Sequence, residues 1–371
     1  MRRLIRRARN DGGAVGVLVG VLIGAGVLLG MAALVVDVGR LYVERAELQN
    51  GADAGALAVA KSCAIGDACA PGIADDYANN NAKDDNSAVD LVCGVGSGLS
   101  SCPSSTGTLT ECPVETPEGE YAEVSTSTLD EGSTLLPPTF AQALAGDESY
   151  DGTTVGACAR ASWGAPQTAK TVALTISLCE WWVATGGTAS GPAAEPEYAP
   201  APPYPPNPDA GFDRVLKLHT TERDTTCAGG SAGSDGPGMF GWVSGDGECA
   251  VDIEDDWYDT DNGSDFPSDC ESVLAEAWAN KTPVFVPVYD DTDDESGHNG
   301  SYHLEGFAAF VVTGYHLTGD PKAGRSDWLN PANDCTGSDR CINGFFTKAL
   351  VPAVGTIGGP DMGATIIQLT G

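Results

Sequence analysis

From Gly12 to Val36 the chain carries no charged residue, and this run, GGAVGVLVGVLIGAGVLLGMAALVV, limits what the rest can be. As a helix it measures about 37 Å at ~1.5 Å per residue, enough to cross ~30 Å of hydrocarbon. That is longer than the apolar stretch of an ordinary cleaved signal peptide, although the small residues near its end have the look of a cleavage site. A lipoprotein signal would need a cysteine directly after the run, and the first cysteine is Cys63. Arg2, Arg3, Arg6, Arg7 and Arg9 precede the run and acids follow it. Basic flanks stay in the cytoplasm, so the expected topology is a single pass through the cell membrane with an extracytoplasmic C-terminal region.

Gly12, Gly16, Gly20 and Gly24 recur every four residues and form one smooth stripe on such a helix. A stripe of this kind lets another membrane helix approach closely, whether a second copy or a partner. Glycine is also common in membrane helices for no specific reason. Beyond Asp37 the sequence DVGRLYVERAELQNGADAGALAVAKS has no proline, and Leu41, Arg45, Leu48, Ala52 and Val59 share one side at helical spacing. The helix is therefore expected to continue as a stalk over 37–62, with Gly51 and Gly55 weakening it. Asp37 marks the exit into water.

The basic start, the Gly12-Gly13 opening and the stretch DVGRLYVERAELQNGADAGALAVA from Asp37 to Ala60 resemble the TadE/TadG-like proteins of Flp (tight adherence) pilus assembly. A second stretch from Tyr121 to Trp163, with YAEVSTST and GACARASWG, is similar to actinobacterial members of that group. The resemblance implies a role in building, anchoring or stabilising a surface pilus, with pilus-assembly proteins as partners. Two departures narrow it. Processed pseudopilins carry a glutamate where Val17 stands here, so peptidase processing is not implied. Larger TadG proteins carry a von Willebrand factor A domain with an Asp-x-Ser-x-Ser metal motif, and that motif does not occur in this sequence.

The net charge is −33, with all 52 acids beyond the first ten positions. Such a surface repels nucleic acid and anionic lipid, so no nucleic-acid partner is expected. All twelve cysteines follow the apolar run, no CxxC occurs, and there are four histidines. That pattern suits disulfides in an oxidising compartment better than zinc. Connectivity does not follow from spacing. Cys335 and Cys341, flanking a turn-like TGSDR, are the best local pair, and Cys63 with Cys69 is the next.

The expected architecture is one N-terminal transmembrane helix continuing into a stalk, then a disulfide-containing β-rich (α+β) extracytoplasmic region. Its parts are a basic tail 1–11, a transmembrane helix 12–36, a stalk 37–62, a disulfide-tied α+β region 63–190, a proline-rich linker 191–209 and a β-rich domain 210–371, with one compact unit or two left open for 63–190 and 210–371. Residues 63–112 read as loops rich in Gly, Ser, Asn and Asp. YAEVSTSTL, VGACARASW and TVALTISL read as strands, and TFAQALAG (139–146) as a short helix. The run 191–209 holds eight prolines and suits an extended spacer. Beyond it RVLKLHT, GMFGWV, PVFVPVY, FAAFVVTGYH, KALVPAV and ATIIQL read as strands, and 268–281 as a capped helix.

No nucleophile elbow, P-loop, HExxH or dinucleotide fingerprint is present, so no cofactor is expected. His219, His298, His303 and His316 read as packed or surface histidines. Trp181 and Trp182, beside Cys179, read as packing residues. Two loops place hard oxygen ligands on alternate residues, a spacing that suits calcium: Asp259, Asp261 and Asp265, then Asp291, Asp293 and Glu295. Neither matches an EF-hand, and a chain with 52 acids produces such spacings by chance. The leading reading is a non-enzymatic assembly component of an Flp-type pilus or related envelope machine. A membrane-anchored enzyme acting on the cell wall, and an adhesin or calcium-stabilised binding module, remain the alternatives.

Overall fold

The computed structural model describes residues 12–66, 68–108, 110–115, 117, 119–129, 132–140, 151–172, 174–199, 212, 214–219, 227, 250–252, 257–259, 268–293, 301–316, 322–323, 340–350 and 355–371. The basic tail 1–11, most of the segment 139–146, the strand candidate at 238–243 and residues 200–211 lie outside them.

In chain order the elements are α1 (Gly12–Ile65), α2 (Ile73–Asn81), β1 (Ser87–Val95), β2 (Glu120–Thr128), β3 (Gly156–Gly164), β4 (Thr168–Lys170), β5 (Ile176–Ser177), α3 (Leu178–Ala184), β6 (Arg214–His219), β7 (Ala250–Asp252), β8 (Trp257–Asp259), α4 (Ser268–Asn280), β9 (Pro283–Thr292), β10 (Ser301–His316), β11 (Lys322–Ala323), β12 (Arg340–Phe346), β13 (Ala349–Leu350) and β14 (Ala364–Leu369). The apolar run and its extension form one helix of 54 residues. No proline interrupts it, so the backbone ladder passes the end of the apolar run unbroken.

Two sheets follow. The first runs β1-β2-β3-β14-β13, and the second runs β5-β9-β10-β12-β6 with β8 and β11 also paired to β10. In the first sheet Ala122 and Val124 of β2 and Ala159, Ala161 and Trp163 of β3 face Ala52, Ala56, Val59 and Ala60 of α1. The alternation that marked these strands in the sequence sends the intervening residues to the opposite face. There Glu123 stands directly across from Arg160. The second sheet is built from larger side chains. Phe285, Phe307, Phe310, Tyr289 and Tyr302 pack with Leu174, Trp181 and Leu274.

The stalk reading needs refining. The helix continues as expected, but from Leu48 to Ala60 it is largely a core element, because its alanines and glycines let the sheet close on it. The reading of 63–112 as loop is corrected in two places, α2 and β1. The strand expected at 171–178 shrinks to the two residues of β5 and gives way to α3. Ser177 and Glu180 form a capping box there that starts a helix inside the apolar run.

Strand pairing crosses the 191–209 segment in both directions. β14, from the C-terminal end, pairs with β3, while β5 and Trp181, from the first region, join the second sheet and its core. The start of the proline-rich run is not a free spacer either. Ala199 N–H donates to the Phe346 carbonyl at 3.0 Å, and Thr347 Oγ1 donates to the Ala199 carbonyl at 3.2 Å. Proline lacks a donor, but non-proline residues between prolines still pair along a strand edge.

Four disulfides are described: Cys63–Cys69, Cys93–Cys102, Cys112–Cys158 and Cys179–Cys227. Cys270 is also disulfide-bonded.

Candidate functional site

The chemistry-free sequence directs attention to α1, which passes through three surroundings. Along the apolar stretch the large side chains are exposed, as at Val17, Leu28 and Leu29 (68%, 70% and 71%). A contiguous apolar surface of this extent is stable only in lipid or against another apolar body. From residue 15 the helix is long and apolar enough to cross a membrane.

The second surrounding begins at Asp37. Its Oδ1 accepts from the Thr139 N–H at 2.8 Å and the Phe140 N–H at 3.1 Å, and Oδ2 accepts from Phe140 at 3.0 Å. One turn on, Arg40 Nη1 donates to the Pro137 carbonyl at 3.2 Å and to Thr139 Oγ1 at 2.9 Å. The carboxylate read as a marker of the helix exit thus holds a loop a hundred residues away. Leu136 of that loop is buried with Leu48, Val155 and Ala157, with Leu41 packed alongside.

The third surrounding is the embedded face. Gly51 and Gly55 lie one turn apart against α2 and β2. A Cβ at Gly51 would sit 3.2 Å from the Ala78 Cα and carbonyl oxygen. At Gly55 it would meet Val124 Cγ1 at 3.3 Å and Ala74 Cβ at 3.5 Å. These glycines, which cost helix propensity, allow two backbones to approach closely. Thr126 Oγ1 donates to the Leu48 carbonyl at 3.0 Å and Gln49 Nε2 to the Cys158 carbonyl at 3.0 Å. The disulfide Cys63–Cys69 ties the end of α1 to the approach of α2. Gly12 opens the helix, and at Gly16, Gly20 and Gly24 a Cβ would meet nothing within 4 Å.

Residues 13–62 match the family model described as Flp pilus-assembly TadE/G-like. This segment of the chain is TadE/G-like. No curated protein and no solved structure matches the chain. The TadE/G-like segment covers α1 almost end to end, so it includes the face that the sheet buries as well as the apolar stretch.

Outside the TadE/G-like helix, the sequence-marked residues are scattered. Asp259 ends β8, where it pairs with Ser301, while Asp261 and Asp265 lie outside the described residues. Cys341 lies in β12, and Cys335 lies outside the described residues. Asp293 is engaged within its own hairpin, accepting from Ser301 N at 2.6 Å and Ser301 Oγ at 2.8 Å. The sequence missed one grouping: His303 Nδ1 lies 2.5 Å from Asp290 Oδ1, and both stand within 4.8 Å of a Glu305 oxygen. Alternation along β10 carried half the signal, since 303 and 305 share a face. Irregularities in the β9–β10 register bring Asp290 across, and those are invisible in sequence. Two other cysteine–glutamate groupings involve Cys93, Cys102, Cys112 and Cys158. These sulfurs are committed to disulfides and offer no thiolate to a metal.

Among the described residues three groups have displaced acidities. Burial, reinforced by Asp361, pushes the Tyr198 phenol well above its ordinary value. Burial lowers Lys281, whose Nζ lies 5.0 Å from the Trp278 ring centre. Glu111 is held below the carboxylate range, chiefly by the Thr106 backbone N–H and hydroxyl. Each displacement has a structural cause, and the three do not converge.

Proposed function

We propose that the protein is a single-pass, non-enzymatic assembly component of an Flp-type pilus or a related envelope machine, with its N-terminus in the cytoplasm and its disulfide-bonded region outside. One observation carries the reading: the TadE/G-like segment is a single helix that is apolar and exposed at one end and part of the domain core at the other. A change of position in the membrane half is therefore passed to the domain through a continuous backbone ladder, not a flexible tether. The described disulfides fit an oxidising compartment, and the arginines at the start fit a cytoplasmic tail. The glycine stripe at Gly12, Gly16, Gly20 and Gly24 is the surface through which the helix meets a second copy or a membrane partner.

The test is genetic. Deleting the gene and counting surface fibres by electron microscopy is expected to show loss of fibres, restored by the full chain but not by a Gly16→Ile/Gly20→Ile variant. Normal fibres and normal attachment in the deletion strain would overturn the assembly role.

A further inference from the structure

We infer that the loop 135–140 lies on the outer surface of the bilayer, with Leu135 and Phe140 entering the boundary between lipid headgroups and acyl chains as a second membrane contact beside the helix. The inference rests on the membrane-anchor reading above and adds a lipid-binding surface to it.

The height of the loop is fixed by α1. Asp37 is the first charged residue after the apolar run, so it stands where hydrocarbon gives way to water. Its carboxylate holds the Thr139 and Phe140 backbone N–H groups, and Arg40, about 4.5 Å further along a helix rising ~1.5 Å per residue, holds Pro137 and Thr139. The backbone of residues 137–140 is thereby confined to the turn of helix at the bilayer edge.

The loop's side chains divide accordingly. Leu136 is turned inward against Leu48 and Val155, which seats the loop on the domain. Leu135 and Phe140 are turned outward, with 38% and 44% of their surface exposed. On a water-facing loop this arrangement would waste two large apolar side chains. At the depth set by Asp37 it places the Phe140 ring where amphipathic interfaces take one, with Leu135 exposed on the same loop.

Charge selects the kind of contact. A chain with a net charge of −33 gains nothing from anionic headgroups, so a surface contact must come from apolar insertion into the lipid boundary. A helix alone leaves the domain free to rotate and tilt about one axis. A second contact to one side of that axis fixes which face of the domain points outward.

The experiment uses the full chain reconstituted in phosphatidylcholine vesicles, carrying Phe140→Trp or, independently, Leu135→Trp. Flotation with the vesicles reports the anchor. Quenching by lipids brominated near the headgroup end of the acyl chain reports the loop, as the difference from the wild-type tryptophans. The expected result is an added emission quenched at least twofold more strongly by the shallow bromines than by bromines near the chain terminus. Adding Asp37→Ala is expected to remove that quenching while the chain still floats. Flotation with no added quenching in either variant overturns the loop contact and leaves the anchor standing. Failure to float overturns the anchor and the loop contact with it.

Discussion

The two ends of α1 carry glycines at the same four-residue spacing and place them in opposite surroundings. Gly51 and Gly55 are pressed against α2 and β2, whereas Gly16, Gly20 and Gly24 have open space where a side chain would be. The glycines cost helix propensity at both ends, and only the embedded pair has its compensation inside the chain. On the proposed association, one helix uses one device twice. At the domain end the device closes a core. At the membrane end it leaves a groove for an apolar partner outside the chain, which is how the proposed association reads it.

The comparison breaks first at the sheet on which the embedded half rests. Arg160 is 2% exposed, and it donates through Nε to Glu123 Oε1 at 2.8 Å and through Nη2 to the Pro113 carbonyl at 2.7 Å. It also bonds the Glu115 carbonyl and lies 5.4 Å from the Tyr121 ring centre. Arg160→Met leaves Glu123 charged and buried without its partner, a loss of about 3–5 kcal/mol. Denaturant unfolding of the full chain in detergent should show it. A loss below ~1 kcal/mol would mean that the far face of the sheet does not hold the β2–β3 platform.

How much of this was legible divides along the same line. The apolar run, the glycine stripe and the alternating strands β2 and β3 could be read because each is a local pattern. So could the helix beyond Asp37, but its burial could not. Ala52 and Val59 pack on strands of which the first begins some sixty residues later, Leu48 packs on Leu136 and Ala157, and a one-sided pattern of alanines looks the same on a free stalk as in a core. Helix α2 escaped notice because IADDYANNN meets α1 through two alanines, Ala74 and Ala78, too few to make an apolar stripe. Whether 63–190 and 210–371 make one unit or two could not be read, because β14 crosses back to β3, a pairing set by tertiary approach. The Asp37 clamp has the same origin, since its partners lie 102 and 103 positions away. Three of the disulfides span 9 to 48 residues with nothing in the sequence to choose among pairings. The proline-rich run misled in the other direction, because its composition is that of a spacer while Tyr198 and Ala199 pack on the second sheet and the strands beside it.

The glycine contrast itself yields a paired substitution. Gly51→Leu drives a side chain into the α2 backbone, where Ala78 already stands 3.2 Å from a bare Cβ position. Overpacking against atoms that cannot rotate away should cost about 3 kcal/mol and lower the unfolding midpoint accordingly. Gly20→Leu meets nothing within 4 Å, so the midpoint of the domain should stay within ~0.5 kcal/mol of the parent. Its effect should appear only in a membrane two-hybrid assay, as lost helix association. Equal unfolding midpoints for the two variants would erase the distinction between the ends of the helix.

The finest form of the contrast lies within the embedded pair. Alanine at either position gains about 1 kcal/mol of helix propensity, so the difference between Gly51→Ala and Gly55→Ala isolates what each new methyl touches. At Gly51 the nearest atoms, at 3.2 Å, belong to the α2 backbone. That helix cannot recede easily, because the disulfide Cys63–Cys69 restrains its start and Asn79 Oδ1 accepts from the Ser87 N–H at 2.9 Å near its end. At Gly55 the nearest atom is the Val124 Cγ1 methyl at 3.3 Å, the end of a side chain that can shift by tenths of an ångström. Gly55→Ala should therefore be neutral or slightly stabilising, and Gly51→Ala less stable than it by about 1 kcal/mol. Chemical unfolding of both variants in the same detergent measures the gap. If the order is reversed, the close approach of α1 and α2 is not what keeps glycine at position 51.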